Sequence, residues 1–413
     1  MYKLSLEFSK LDKKLREKAL KAVDKKALYG EDVDLDRYGE GEKDLSSITN
    51  LNELDENERK ALTDVGIQEE NRSGSYLQFD NSVLLELQIQ EGIEVMSIFK
   101  ALEKYDWLKD YWWNAVAVDQ DKFTAYSQLH EPMGYFIRAK PYIKSEFPVQ
   151  SCLYIKSGGT VQNVHNIIVA EEGSELDVIT GCAVGEKTED ALHIGISEFF
   201  VKRDATLSFT MIHSWGEGVA VRPRSAAIIE ENGTFFSNYV NMRRTKSIQM
   251  YPTAYCVGKN SMARYSTVMV AREGSKIDIG SRSVLKAEGS KTEMISRAIG
   301  LGGEAYIRGD IEGEAEDVKG HLECRGLMLK DEGFIFSIPE LKASLQNLDL
   351  SHEAAIGKIA EDEIFYLMTR GLSAEEATAA IVRGFLNVET KGLPKALDEE
   401  MRKTIEASLS SML

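Results

Sequence analysis

The sequence predicts a mainly β protein, a parallel β-helix between helical regions, and three observations carry that expectation. From about Pro132 to about Leu341, short β-rich runs alternate with turns centred on Gly173, Asp204, Gly233, Gly274, Gly289, Gly303 and Gly333. The intervals fall near 15 residues (274 to 289, 289 to 303) or near 30 (173 to 204, 204 to 233, 303 to 333), as in stacked coils. No proline occurs between Pro252 and Pro339, which suits a continuous ladder because each proline deletes a backbone donor. One coil cannot bury its apolar face, whereas stacked coils share a single core of inward Val, Ile, Leu and Phe. Periodicity alone leaves a β-sandwich of hairpins as the alternative.

Residues 1–131 read as a helical and mixed region. Helical spacing marks 4–22, 52–64 and 98–113, and Trp107, Trp112 and Trp113 are expected to dock the last of these against the next domain. Residues 132–345 form the β-helix core, in which VAEEGSELDVI (169–179), VAREGSKIDIG (270–280) and LKAEGSKTEMI (285–295) repeat a strand end, an E-G-S turn and an alternating strand. IIEENGTFFSN (228–238) is a looser copy. Residues 346–413 return to helix: 354–370 is amphipathic, Gly371 is its C-cap, Ser373 and Glu376 frame a capping box opening a helix through Val382, and Pro394 starts a third. An open solenoid exposes strand edges at its ends, and the flanking helices are expected to cap them.

Composition limits the function. The 413 residues carry a formal charge of −17, so the bulk field repels nucleic acid and anionic lipid. No apolar run approaches a membrane span and the charged N-terminus lacks a signal peptide's apolar centre, which points to the cytoplasm. The four cysteines, at 152, 182, 256 and 324, form no CxxC pair, and free thiols in a reducing compartment are expected.

The chain has no GxxxxGK[ST] loop and no strand-linked GxGxxG, hence no nucleotide cradle of its own. One constellation stands out: Cys324, followed 28 and 29 residues later by His352 and Glu353. On coils of about 30 residues that offset is one turn, which stacks the three side chains. Thiolate, imidazole and carboxylate all ligate iron, and a thiolate also accepts sulfur as a persulfide. Cys182, His165, His193 and the His213–Trp215 segment read first as packing residues. A β-helix polysaccharide lyase or hydrolase is the competing reading, with Asp278 and Glu293 as its carboxylates.

The run IPELKASLQNLDLSHEAAIGKIAEDEIFYLMTRGLSAEEATAAIVRGF (338–385) closely resembles the C-terminal signature of the SufB/SufD family, and the likeness extends over roughly 150–390. The resemblance implies a right-handed parallel β-helix that acts as a scaffold rather than an enzyme. On it an iron–sulfur cluster is transiently assembled, with ATP entering only through the ATPase SufC. Because Cys324, His352 and Glu353 are all present, the chain is similar to SufB rather than to the SufD-like structural partner. The family pattern assigns Cys324 and Glu353 to the nascent cluster and His352 to the subunit interface. It places Cys182, His193 and Trp215 along an internal sulfur route, with Arg222 or Arg224 as the basic residue further on. An N-terminal cysteine motif of bacterial SufB proteins is absent, and His213-Ser214 replaces Gln-Asn before the tryptophan. The implied partners are SufC at the helices of 356–385, a second copy or a SufD-like chain, a sulfur donor and apo-protein acceptors. A reduced flavin is an optional further cofactor.

Overall fold

The computed structural model describes residues 6–386, except 44, 131, 132 and 187. The E-G-S turns are where each coil turns its corner. Gly173, Gly274 and Gly289 adopt positive φ there, a region open to glycine at little cost. The hydroxyls of Ser174 and Ser290 close the turn on carbonyls three residues back, each at 2.7 Å. In the looser copy the left-handed residue is Asn232 rather than Gly233, and asparagine tolerates that region through its short polar side chain.

Between the turns, strands with alternating side chains stack in parallel. Register partners on successive coils lie 27 to 31 residues apart, from Ala226 with Thr253 to Val161 with Leu192. Among the described residues this produces a ten-stranded and a twelve-stranded sheet facing each other. One run of the first sheet is Glu175–Val184, Thr206–Ser214, Thr234–Asn241, Met262–Arg272, Lys291–Leu301, Lys319–Met328 and Asp349–Gly357. Their inward residues and those of the facing sheet, including Leu207, Phe235, Ile277 and Leu322, form one core along the lumen. The β-solenoid is thus the fold, and the sandwich alternative falls.

The ends differ from expectation. At the N-terminal end the cap is made of strands: Gly74–Phe79 pairs in parallel with Val149–Ile155 and antiparallel with Ser82–Gln88, and Ile93–Ser97 pairs antiparallel with Tyr135–Ala139. A strand satisfies an open ladder's backbone groups directly, which a helix cannot. Helix Glu56–Asp64, helix Ile98–Lys104 and the tryptophans instead cover the outer sheet faces. At the other end, residues 354–357 are not helical but finish strand Asp349–Gly357, paired with Lys319–Met328. The waiting ladder edge outcompetes helical patterning there. Helices Glu361–Met368 and Ala374–Leu386 follow. The second packs Val382 and Leu386 on the side of the first sheet rather than on its end. Gly371 at φ +97° and the reciprocal Ser373–Glu376 hydrogen bonds separate the two helices as the sequence predicts. The helix expected from Pro394 lies outside the described residues.

Candidate functional site

Strand alternation decides where the conspicuous residues point. On Lys319–Met328, Leu322 and Cys324 face the lumen, and Cys324 is 1% exposed. Its register partner on the last strand is Ala354, while His352 pairs with Leu322 and Glu353 with Glu323. The one-turn offset therefore brings all three to adjacent strands. It does not bring them to one face. His352 shares the lumen parity of Cys324 and lies exposed on the last strand. Glu353 takes the outer parity and accepts a 3.2 Å hydrogen bond from Arg325. Arg325 in turn pairs with Glu323 at 2.6 Å, and Glu323 with Arg297 at 2.6 Å. Among the described residues no group of three His, Cys, Asp or Glu side chains converges as a metal site. Burial pushes the Cys324 thiol pKa up, and the hydroxyl of Ser337 across the lumen and the Arg297 guanidinium offset part of that rise.

The second cluster lies at the opposite end of the lumen. Cys182, 1% exposed, has His213 as register partner on the next coil, and His213 has Asn241 on the one after. His193 and His213 flank Trp215 with ring centroids 5.0 and 5.4 Å away. His193 Nδ1 is 3.0 Å from Gln162 Oε1, and His213 Nδ1 is 3.0 Å from the Tyr239 hydroxyl. Burial lowers the His193 pKa to about 3 and drives that of His213 well down, so both rings are neutral at neutral pH. From Cys182 the column runs through His213, Asn241, Met269 and Ala298 to Gly326, two residues from Cys324. Five steps at about 4.8 Å make the separation about 24 Å.

Other candidates leave the lumen. Arg224 turns outward, its Nε 2.6 Å from Asp121 with both side chains 3% exposed. Arg222 donates to the Glu31 carbonyl and to Ser247. His165 is a clamp: its Nε2 meets Glu198 at 2.8 Å and Trp112 stacks on its ring at 3.9 Å. Glu198 also accepts from the backbone of Trp113, Ala115 and Val116, which ties the tryptophan segment to the solenoid. Asp278 is clasped by Arg308 on one sheet and Glu293 by Arg264 on the other. They lie on opposite outer faces and cannot act as one acid–base pair.

Residues 153–385 match the family model described as SUF system FeS cluster assembly, SufBD core domain. The chain belongs to the SufBD family. It is 54% identical to an iron–sulfur cluster assembly SufBD family protein of Archaeoglobus fulgidus, over 86% of this chain and 96% of that one. A SufBD family protein of Methanothermobacter thermautotrophicus is 45% identical over 96% of this chain and 98% of its own. One of Pyrococcus horikoshii is 32% identical over 88% and 83%. The SufBD match spans both clusters and the last strand. Tyr239, Asn241, Gln162 and Ser337 had not stood out in the sequence. Their one signal is inward parity at coil spacing, which becomes readable once the register is known.

Proposed function

We propose that this SufBD protein is a SufB-like scaffold on which iron–sulfur clusters are built and handed on, working with the ATPase SufC. The observation that carries the reading is Cys324 buried beneath a last strand that bears His352 and Glu353 and has no further partner among the described residues. Sulfur enters as a persulfide near Cys182 and passes along the column of inward-facing side chains to Cys324. Thiol–persulfide exchange needs an attacking thiolate, and the neutral rings of His193 and His213 line the lumen beside Trp215 on that route. Iron, the substrate, takes the Cys324 thiolate and the His352 and Glu353 side chains as donors. A site of mixed thiolate, imidazole and carboxylate holds its cargo less tightly than a closed four-cysteine shell, as transfer requires.

One chain presents these donors to opposite faces, so the site is completed across the open edge. A second copy pairing there places two sets about a two-fold axis. A SufD-like chain is the alternative partner. Exposed Phe365, Tyr366 and Met368 on helix Glu361–Met368 offer SufC a docking face. ATP-driven closure of SufC would then shift the last strand and uncover Cys324.

Anaerobic reconstitution with ferrous iron and sulfide tests the reading. The wild type turns brown and transfers its cluster to an apo-protein acceptor, and Cys324→Ser and Glu353→Ala lose both properties. A Cys324→Ser protein that assembled and transferred clusters normally would falsify the assignment.

A further inference from the structure

A cavity of about 390 Å³ lies outside the lumen, against the outer face of strand Thr160–Ala170 near the N-terminal end of the solenoid. Helix Ile98–Lys104, helix Lys122–Leu129 and strand Ser82–Gln88 close around it, and its size is that of a small-molecule site, roughly 300–1,000 Å³. Asn163 lines it from the strand. Val164 and Ile168 belong to the lumen core, whereas Val161 and Ile167, which share the parity of Asn163, pack on the outside. Asn163 is 5% exposed, and neither its amide nitrogen nor its amide oxygen has a hydrogen-bond partner among the described residues. Its strand neighbour Val161 and its coil neighbour Ile194 are aliphatic and can supply none. Buried amides are nearly always paired, so an orphan that faces a cavity points to an occupant.

The charged walls are already paired. Glu86 accepts from the Ser97 backbone and from Lys100, Glu40 accepts from Lys43, and the Ser82 hydroxyl joins the Leu45 backbone to the Glu42 carbonyl. Selectivity therefore falls to the Asn163 amide. A flat surface stands beside it: the rings of Tyr126 and His130 stack with centroids 3.8 Å apart and planes at 17°, and His130 Nδ1 donates to the Tyr126 carbonyl at 3.1 Å, which holds the pair in place. Phe99 lines the same cavity. Across the Tyr126–His130 wall, a recess of about 850 Å³ is lined by five carboxylates from residues 24–40 against Lys26 and Lys122.

We infer that this cavity binds adenine, carried as a nucleoside. A side-chain amide offers one donor and one acceptor side by side, which match the exocyclic N–H and adjacent ring nitrogen of adenine. Guanine presents two acceptors or two donors along an edge and leaves half of the amide unpaired. A pyrimidine can match the edge, but its single ring covers less of the aromatic surface, and stacking on aromatic side chains is a main source of base affinity. The acidic recess accepts hydrogen bonds from ribose hydroxyls and repels phosphate, so the nucleoside is bound in preference to the nucleotide.

The inference is independent of the scaffold reading, because the cavity lies outside the lumen and away from Cys324. Equilibrium dialysis of the full chain against labelled adenosine, guanosine, uridine and AMP tests it. Adenosine binds saturably at one site per chain, and the other three bind at least about tenfold more weakly, as one matched base edge implies. Asn163→Asp, which replaces the donor by a second acceptor, loses adenosine at least about tenfold and takes guanosine, whose N1–H and N2–H both donate. A residue needed only for packing would give no such exchange of preference. Asn163→Leu removes an unsatisfied amide, so it keeps the wild-type melting temperature while losing adenosine, and it carries the test if Asn163→Asp does not fold. Absence of saturable adenosine binding, equal binding of the three nucleosides, or adenosine binding unchanged in Asn163→Leu overturns the proposal.

Discussion

His193 and His213 give the molecule an acid-sensitive interior. Both titrate near 6.5 when unfolded and are held neutral in the fold by burial, His193 with a pKa of about 3. Between those values the unfolded chain binds more protons than the folded one, so stability falls as pH drops below about 6.5. His193 costs about 2 kcal/mol by pH 5, and His213 adds to the loss in the same direction. Urea midpoints at pH 7.5 and pH 5 should differ accordingly, and His193→Gln with His213→Gln should flatten the difference. Asp121 is a second sensitive residue, since it pairs with buried Arg224 and caps helix Lys122–Leu129. Asp121→Ala leaves a buried guanidinium short of its partner and should cost about 3–5 kcal/mol in chemical denaturation. The adjacency of the Cys324 strand to that of His352 and Glu353 was legible because their offset matches one coil. Tyr239 and Asn241 were not, because a tyrosine or asparagine in a β run reads as packing or turn until its register neighbours are known.

Among the elements, the coil was the most readable and its ends the least. Spacing of E-G-S turns fixes coil length, because each corner must repeat for the ladder to stay in register. Corners also approach closely: a Cβ on Gly258 would stand 1.9 Å from the Glu231 backbone nitrogen of the neighbouring coil. Gly258→Ala should therefore cost more than about 2 kcal/mol. Gly357→Ala, with nothing within 4 Å, should stay within about 0.5 kcal/mol; comparable thermal melts for the two would refute the close-packed corner. Residues 354–357 carried a helical pattern and became strand because Lys319–Met328 offered an unpaired edge. That information lies 30 residues away, in the register of Lys319 with Asp349, and no local window contains it.

At the scale of the whole molecule, the ladder at the end bearing Cys324 stops on a strand with no further partner among the described residues. Ile356, 42% exposed, shares the lumen parity of Cys324, so Ile356→Asp should abolish self-association measured by sedimentation while leaving the melting temperature nearly unchanged. Two copies each carry −17, and screening of that repulsion should tighten the proposed dimer as salt rises towards physiological strength. A dimer that weakened with salt would mean that specific ion pairs, rather than the β edge, hold it. On the proposed SufC docking at helix Glu361–Met368, Phe365→Ala with Tyr366→Ala should weaken SufC capture more than fivefold, as truncated aromatic anchors do.

The sequence by itself determined the solenoid and its coil length, and it singled out the residues proposed to handle iron and sulfur, because periodicity and residue chemistry are local properties. Tertiary structure alone decided which face each residue takes. A strand alternates every residue, so a one-position difference in register sets Cys324 inside the lumen and Glu353 outside it. The same alternation aligned Cys182, His213 and Asn241 into one buried column, left Arg224 outside it, and set the proposed iron donors of one chain apart on a last strand that has no further partner among the described residues.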